Sequence, residues 1–241
     1  MLKLLLALLL VLSQSALAAE PPLRFAVSDG WAMPIAEFVN GRPVTGILID
    51  LQRRMAQKVG RQAEFVVLPR LRLQRALDAG EVDVRCYVSP TWLNNDHYNY
   101  IWSLPFMTQR DVLVSTQPGQ RKPSELSPQR FGTVHGYSYP ELDALFARQQ
   151  LQRDDARTQE QVLLKLSAQR YDYAVTNDLS LHWFNRALPA EQRLHIHSEL
   201  ASDPVACIVR NDEQVPTMRL LRAMVQMKEA GEFDAILARY R

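Results

Sequence analysis

Nothing in this chain spells out a reaction. It contains no glycine-rich phosphate loop, no HExxH, no GxSxG and no CxxC. The sequence therefore supports neither phosphate-loop nucleotide chemistry nor the zincin, serine-hydrolase-elbow or thioredoxin-type mechanisms that need those spacings. Cysteine is nearly absent: Cys86 and Cys207 are the only two, too few for the disulfide lattice of a small eukaryotic secreted domain. Charge of one sign is also lacking, because 28 basic against 26 acidic residues leave a formal net of +2. No nucleic acid or membrane surface is called for as a partner. Low-complexity tracts are missing, and no stretch beyond the N-terminal segment is apolar enough to span a bilayer, which takes about 20 residues.

What is present begins with an export signal. Lys3, the apolar run 4–12 and Ala16-Leu17-Ala18 predict a secretory signal peptide over residues 1–18, cut after Ala18. No cysteine follows to accept a lipid. The mature chain is expected to be a soluble, monomeric protein of the bacterial periplasm, of about 220 residues, which suffices for two lobes of roughly 100 each.

The stretch 80–106, GEVDVRCYVSPTWLNNDHYNYIWSLPF, organises the rest. Gly80 suits a helix C-terminus, residues 82–88 are rich in β-branched side chains, and Ser89-Pro90 is a turn. An open α/β sheet binds its ligand beyond the carboxyl ends of its strands, which puts Ser89, Pro90, Thr91 and Trp92 at the mouth of a site. A first strand over 23–27 delivers Ser28-Asp29-Gly30-Trp31 to the same edge, with Trp31 either core or stacking platform. Asn40-Gly41 signals a hairpin, a helix starts at 46–51 and stops at Gly60, a strand covers 63–68, and a helix over 71–77 ends at Gly80. This alternation is that of a parallel sheet with helices on its faces. Arg53, Arg54, Arg70, Arg72 and Arg75 read as solvated helix faces.

Pro118, Pro123 and Pro128 give 117–130 the composition of a linker. Beyond it, a strand over 131–134 feeds a helix over 141–150, and Ser138 with Pro140 near its start outlines a carboxylate or phosphate cradle, or merely a capped helix. Thr158 to Gln161 is a capping box. A strand over 171–176 ends at Asn177-Asp178, and a late strand over 205–209 precedes terminal helices over 217–230 and 232–240 broken at Gly231. Cys86 and Cys207 both lie in apolar strand-like runs, as a disulfide or as two buried thiols. His195 and His197 share a strand face, but without a third ligand no metal is expected.

The motifs GILIDL at 46–51, GEVD at 80–83 and WSLPF at 102–106, with the return at VACIVRND and the closing helices, resemble the family-3 extracellular solute-binding proteins over essentially the whole mature chain. The resemblance implies an α/β, two-lobed periplasmic-binding-protein fold of type II, each lobe a mainly parallel sheet, joined by two crossing strands. Lobe I would comprise 19–110 and 199–241, and lobe II 111–198. It implies no cofactor and no catalysis: a small polar ligand, an amino acid or derivative, is held between the lobes and passed to an ABC permease in the inner membrane. A periplasmic sensor and a dehydratase-like cleft enzyme are the alternatives on the same fold. By resemblance Trp31 lies beside the ligand, Ser138 donates to its carboxylate, and Asn177 or Asp178 holds its amino group. One departure stands out: the family's carboxylate-gripping arginine falls on Asp96. Either Arg70, Arg72 or Arg85 replaces it, or the ligand is not a standard α-amino acid, and Asp96 favours a cationic group.

Overall fold

The computed structural model describes residues 20–93 and 99–240. The expected signal peptide and the expectations for Asp96 lie outside the described residues. Strand β1 (Leu23–Ser28) runs parallel between β4 (Ala63–Leu68) and β5 (Val84–Val88). Its LRFAV sequence is almost continuously apolar because both faces of a parallel sheet are covered by helices. One face carries α1 (Ile47–Lys58), α6 (Thr217–Glu229) and α7 (Glu232–Ala238), which bury Leu48, Leu51, Met55, Leu220, Met224 and Phe233. The other packs Ala26, Val88 and Ile208 under Leu73 and Leu77 of α2 (Leu73–Asp78).

A second lobe is built the same way. There β8 (Gln129–Val134) lies parallel to β9 (Leu151–Ala156) and to β10 (Tyr173–Asn177). Its covering helices are α3 (Asp143–Ala147), α4 (Gln159–Ser167) and α5 (Asp178–Arg186). The lobes are joined by two long antiparallel strands, β7 (Met107–Ser115) and β11 (His195–Arg210), paired from Ser115 opposite His195 to Met107 opposite Val205. Along the curled sheet the order is β4-β1-β5-β11-β7-β10-β8-β9, with β6 (Tyr100–Trp102) added to β11. The short hairpin of β2 (Glu37–Val39) and β3 (Arg42–Thr45) turns at Asn40-Gly41, both at positive φ.

Buried polar contacts fasten the return of the chain. Asp83 accepts from Arg24 N, Nε and Nη2 and from Arg210 Nη2 at 2.7–3.2 Å, tying β1 and the end of β11 to the start of β5. Its two guanidiniums hold the carboxyl below its usual range against the opposing effect of burial. Cys86 and Cys207 form a disulfide between paired β5 and β11, which resolves the two sequence alternatives.

Three elements differ from the sequence expectations. β9, LQRDDA, carries no apolar alternation because it closes the sheet edge and buries little beyond Leu151 and Ala156. β11 begins ten residues before Val205, since its first half is held by pairing with β7 and buries little beyond His197 and part of Leu200. The helix expected to reach Gln150 stops at Ala147, where Gln149 turns to φ 57° and Gln150 N returns to Leu145 O.

Candidate functional site

The strand ends converge where the lobes meet. Between them lies a narrow cavity lined by Trp31, Arg70, Tyr87, Trp92, Gln109, Asp111, Tyr137 and Ser138. Three aromatic rings form one side: Trp31 stands edge-on to Tyr87 at 6.0 Å, and Tyr87 edge-on to Trp92 at 6.2 Å. Trp31 is both things the sequence allowed, a member of the first-lobe core and a wall of the cavity.

Tyr87 is where it is because β5 bulges. Cys86 is opposite Cys207 and Val88 opposite Ala206, which leaves Tyr87 unpaired with φ 61°. A left-handed conformation is costly for a residue with a Cβ and is retained where the surroundings over-determine it. The bulge aims the ring into the cavity, and the buried hydroxyl has no hydrogen-bond partner among the described residues. Burial raises its pKa well above that of free tyrosine.

Arg70 opens the 3-10 turn Arg70–Arg72 that follows Pro69. It reaches across to the second lobe, its guanidinium carbon 5.7 Å from the centre of the Tyr137 ring. Among the described residues it makes no hydrogen bond or ion pair, and burial lowers its pKa from the usual value. Tyr137 is partly buried, and desolvation pushes it up to about 12. The Leu71 side chain packs closely on the backbone at Gly136: a Cβ on Gly136, at φ 75°, would lie 3.3 Å from Leu71 Cγ.

The opposite wall comes from β7. Gln109 Nε2 donates to Asp111 Oδ1 at 2.8 Å. Burial pushes the Asp111 carboxyl up to about 7, the hydrogen bond from Gln109 opposes this, and the charges of Glu141, Asp203 and Asp178 add to it. Asp178 accepts from Arg110 Nε at 3.0 Å through Oδ2, and its Oδ1 is buried without a partner.

Of the residues singled out from sequence, Trp31, Arg70, Trp92 and Ser138 meet at this cavity. Trp92 Nε1 donates to Asp203 at 3.2 Å. The others lie elsewhere. Arg72 is exposed beside Glu81 at 3.7 Å. Arg85 is buried under α2, where its Nη1 donates to Gln74 Oε1 and burial lowers its pKa to about 9. Ser89 is buried and accepts from Thr91 Oγ1. Asn177 is the N-cap of α5, accepting from Ser180 N at 2.8 Å. Asp178 adjoins the cavity without lining it. Asp29 pairs across the lobes with Arg157 at 3.2 Å, at the edge of a wider groove lined by Phe38, Leu163, Trp183 and Phe184. Sequence reasoning missed Tyr87, Gln109, Asp111 and Tyr137. Tyr87 sits in a run that reads as an ordinary strand, and Gln109 and Asp111 lie on a crossing strand, so no spacing marks them; the YSY around Ser138 was the one available signal.

Comparison with known proteins agrees with this architecture. An ancestral arginine-binding protein bound to arginine shares the fold at TM-score 0.76 and 18% identity, over 92% of this chain and 99% of that one. A histidine kinase sensor domain with similarity to periplasmic binding proteins matches at 0.74 and 19%, over 92% and 96%. An arginine third transport system periplasmic binding protein from Legionella pneumophila matches at 0.73 and 16%, over 92% and 100%. No curated protein sequence matches the chain. The family model for bacterial extracellular solute-binding proteins, family 3, spans residues 23–241, and with its fold and cleft the chain belongs to that family.

Proposed function

We propose that this protein is a periplasmic receptor that encloses a small polar ligand, an amino acid or a derivative, between its lobes and delivers it to an ABC permease. The observation that carries the reading is the Arg70 guanidinium: it lines a cavity walled by aromatic rings, stacks on Tyr137, and makes no hydrogen bond or ion pair among the described residues. A partly desolvated guanidinium favours a bidentate carboxylate, and this one stands in for the arginine that the family motif lacks at Asp96. In this reading the chain is exported by a leader over 1–18, acts as a monomer without cofactor or catalysis, and has lobe borders at 110/111 and 198/199.

The cavity holds ≈ 30 Å³, room for about two waters. Ligand entry therefore requires the lobes to part about β7 and β11, which is hinge closure of the kind that signals occupancy to a partner. A sensory role is the second reading, favoured by the fold shared with a histidine kinase sensor domain.

The test is a thermal-shift screen of mature protein against amino acids, dicarboxylates, polyamines and short peptides, since a ligand of the native state raises its melting temperature. Titration calorimetry on Arg70→Ala follows. A carboxylate-bearing ligand whose affinity falls at least tenfold in that variant supports the reading, and undiminished affinity overturns the role of Arg70. Uptake of the same ligand, lost on deletion of the gene, separates import from sensing.

A further inference from the structure

Away from the cavity, the two lobes also meet through a pair of aromatic rings. Trp183 of α5 stands 6.3 Å from Tyr240, in the turn that follows α7, with the rings inclined at 48°. Trp183 and Leu179, one turn earlier, both pack against the core of the first lobe although their helix belongs to the second. The indole is oriented from its own helix: the Arg186 guanidinium, three residues on, sits 4.7 Å from the ring centre, the spacing at which side chains on a helix are neighbours. Neither Trp183 nor Tyr240 lines the cavity, so the pair serves something other than contact with the ligand.

Tyr240 is a fixed platform. It is buried, and its hydroxyl accepts from Gly46 N at 3.0 Å and donates to Asp50 Oδ2 at 2.7 Å, with Thr45 Oγ1 at 2.8 Å. Asp50 is held in turn by Arg239 Nη2 at 3.1 Å. The start of α1, to which the ring is tied, has no room to shift: a Cβ on Gly46 would meet Ile35 O and Ala36 Cα at 2.6 Å. Ile47 N donates to Pro34 O and Leu48 N to Ile35 O, so the first turn of α1 is seated on the loop that follows Trp31. A ring held by so many contacts keeps its place when its partner leaves.

We propose that Trp183 on Tyr240 is an interlobe clasp that sets what share of the ligand-free protein stands closed. This rests on the hinge of the receptor reading but on no particular ligand class. The lobes are joined by β7 and β11, so parting them about these strands carries α5 away from α7 and separates the two rings. An aromatic pair adds a modest free energy beyond the area it buries, enough to bias a two-state equilibrium without locking it. Affinity for any ligand that needs the closed form scales with the share of protein already in it. Trp183 and Tyr240 are therefore positioning residues: they tune binding from outside the cavity. Their contact is apolar, and unlike the exposed pair of Asp29 with Arg157 it is not weakened by salt.

Distances between two spin labels on the ligand-free mature protein test this. Arg75→Cys in α2 and Arg170→Cys before β10 place the labels at exposed positions of different lobes, and the disulfide-bonded native cysteines take none. The doubly labelled parent should show a shorter and a longer distance in equilibrium. Trp183→Ala should lower the ratio of short to long by about three- to tenfold, and Trp183→Phe, which keeps an aromatic face, should restore most of it. Adding Tyr240→Ala to Trp183→Ala should change the ratio little further, because residues that act as a pair are not additive. Melting curves establish that each variant is folded. A lower melting temperature with unchanged distances would reduce the pair to ordinary packing and overturn the clasp. A parent found only at the long distance, or a Trp183→Ala variant shifted toward the short one, overturns it as well and leaves the receptor reading standing. One short distance in the parent and in every variant overturns both the clasp and the hinge on which that reading depends.

Discussion

Asp29, just past the end of β1, and Arg157, just before α4, form an ion pair 3.2 Å long that joins the two lobes beside the cleft. The Arg157 side chain is 73% exposed, so water and salt screen the pair, and its worth is at most about 1 kcal/mol. It acts only when the lobes are together, which makes it a latch on the closed form. Arg157→Ala should weaken ligand binding by roughly two- to fivefold, about 0.4–1 kcal/mol. Calorimetry in 0.5 M salt should show the wild-type losing most of that margin, and no salt dependence of the difference would rule the latch out.

Gly136 is the second closing device. Its φ of 75° is expensive for any residue with a Cβ, and an added methyl would press on Leu71 across the cleft. Gly136→Ala should cost about 1–2 kcal/mol of stability through backbone strain. It should cost further affinity because the contact with Leu71 is made on closure. Melting curves with and without ligand separate the two effects: a variant destabilised equally in both would place the whole cost in the backbone.

Asp111 makes stability depend on pH in an unusual direction. Its carboxyl titrates at about 7 in the folded chain against a usual 3.8, so the native state binds the proton more tightly than the unfolded chain. Stability withdrawn by this group therefore grows as pH rises from about 4 to about 7 and is constant beyond. Asp111→Asn should stabilise the protein by about 1–3 kcal/mol at pH 8 and change little at pH 4. Urea unfolding at the two pH values is the check, and equal effects at both would show that Asp111 is not strained by burial.

The disulfide links residues 121 apart, for which constraint of the unfolded chain amounts to about 5 kcal/mol, less any strain. Replacing Cys86 and Cys207 together by Ala should lower stability by about 2–4 kcal/mol. It should also loosen the bulge that aims Tyr87, so ligand affinity should fall even where the variant is fully folded. Undiminished affinity in the folded double variant would show that the bulge is held without the bond.

Most of the fold could be read from residues alone. Gly60, Gly80 and Gly231 end their helices at positive φ where the pattern of apolar residues stops. The Thr158 cap bonds Gln161 N as its spacing predicts, while the Gln161 side chain returns to Arg157 N, one residue earlier than the usual reciprocal contact. Such signals are legible because each depends on neighbours within a few residues. β9 was illegible for the opposite reason: an exposed edge strand needs only a partner's backbone and leaves no apolar period.

The local sequence of this chain determined its alternating elements, its caps and breaks, and the family motifs that order them into two lobes. Tertiary structure decided which polar groups face the cleft. Arg70, Arg72 and Arg85 are equivalent on the page of the sequence, yet one looks across the cleft, one pairs with Glu81 at the surface and one is buried against Gln74. Whether an arginine finds a partner depends on strands and helices that are distant in sequence. The bulge at Tyr87 depends on the register of β5 against β11, and the place of Asp111 on the course of a crossing strand. Neither is encoded in any window of residues short enough to read by eye, because each arises from pairing between segments more than 80 residues apart.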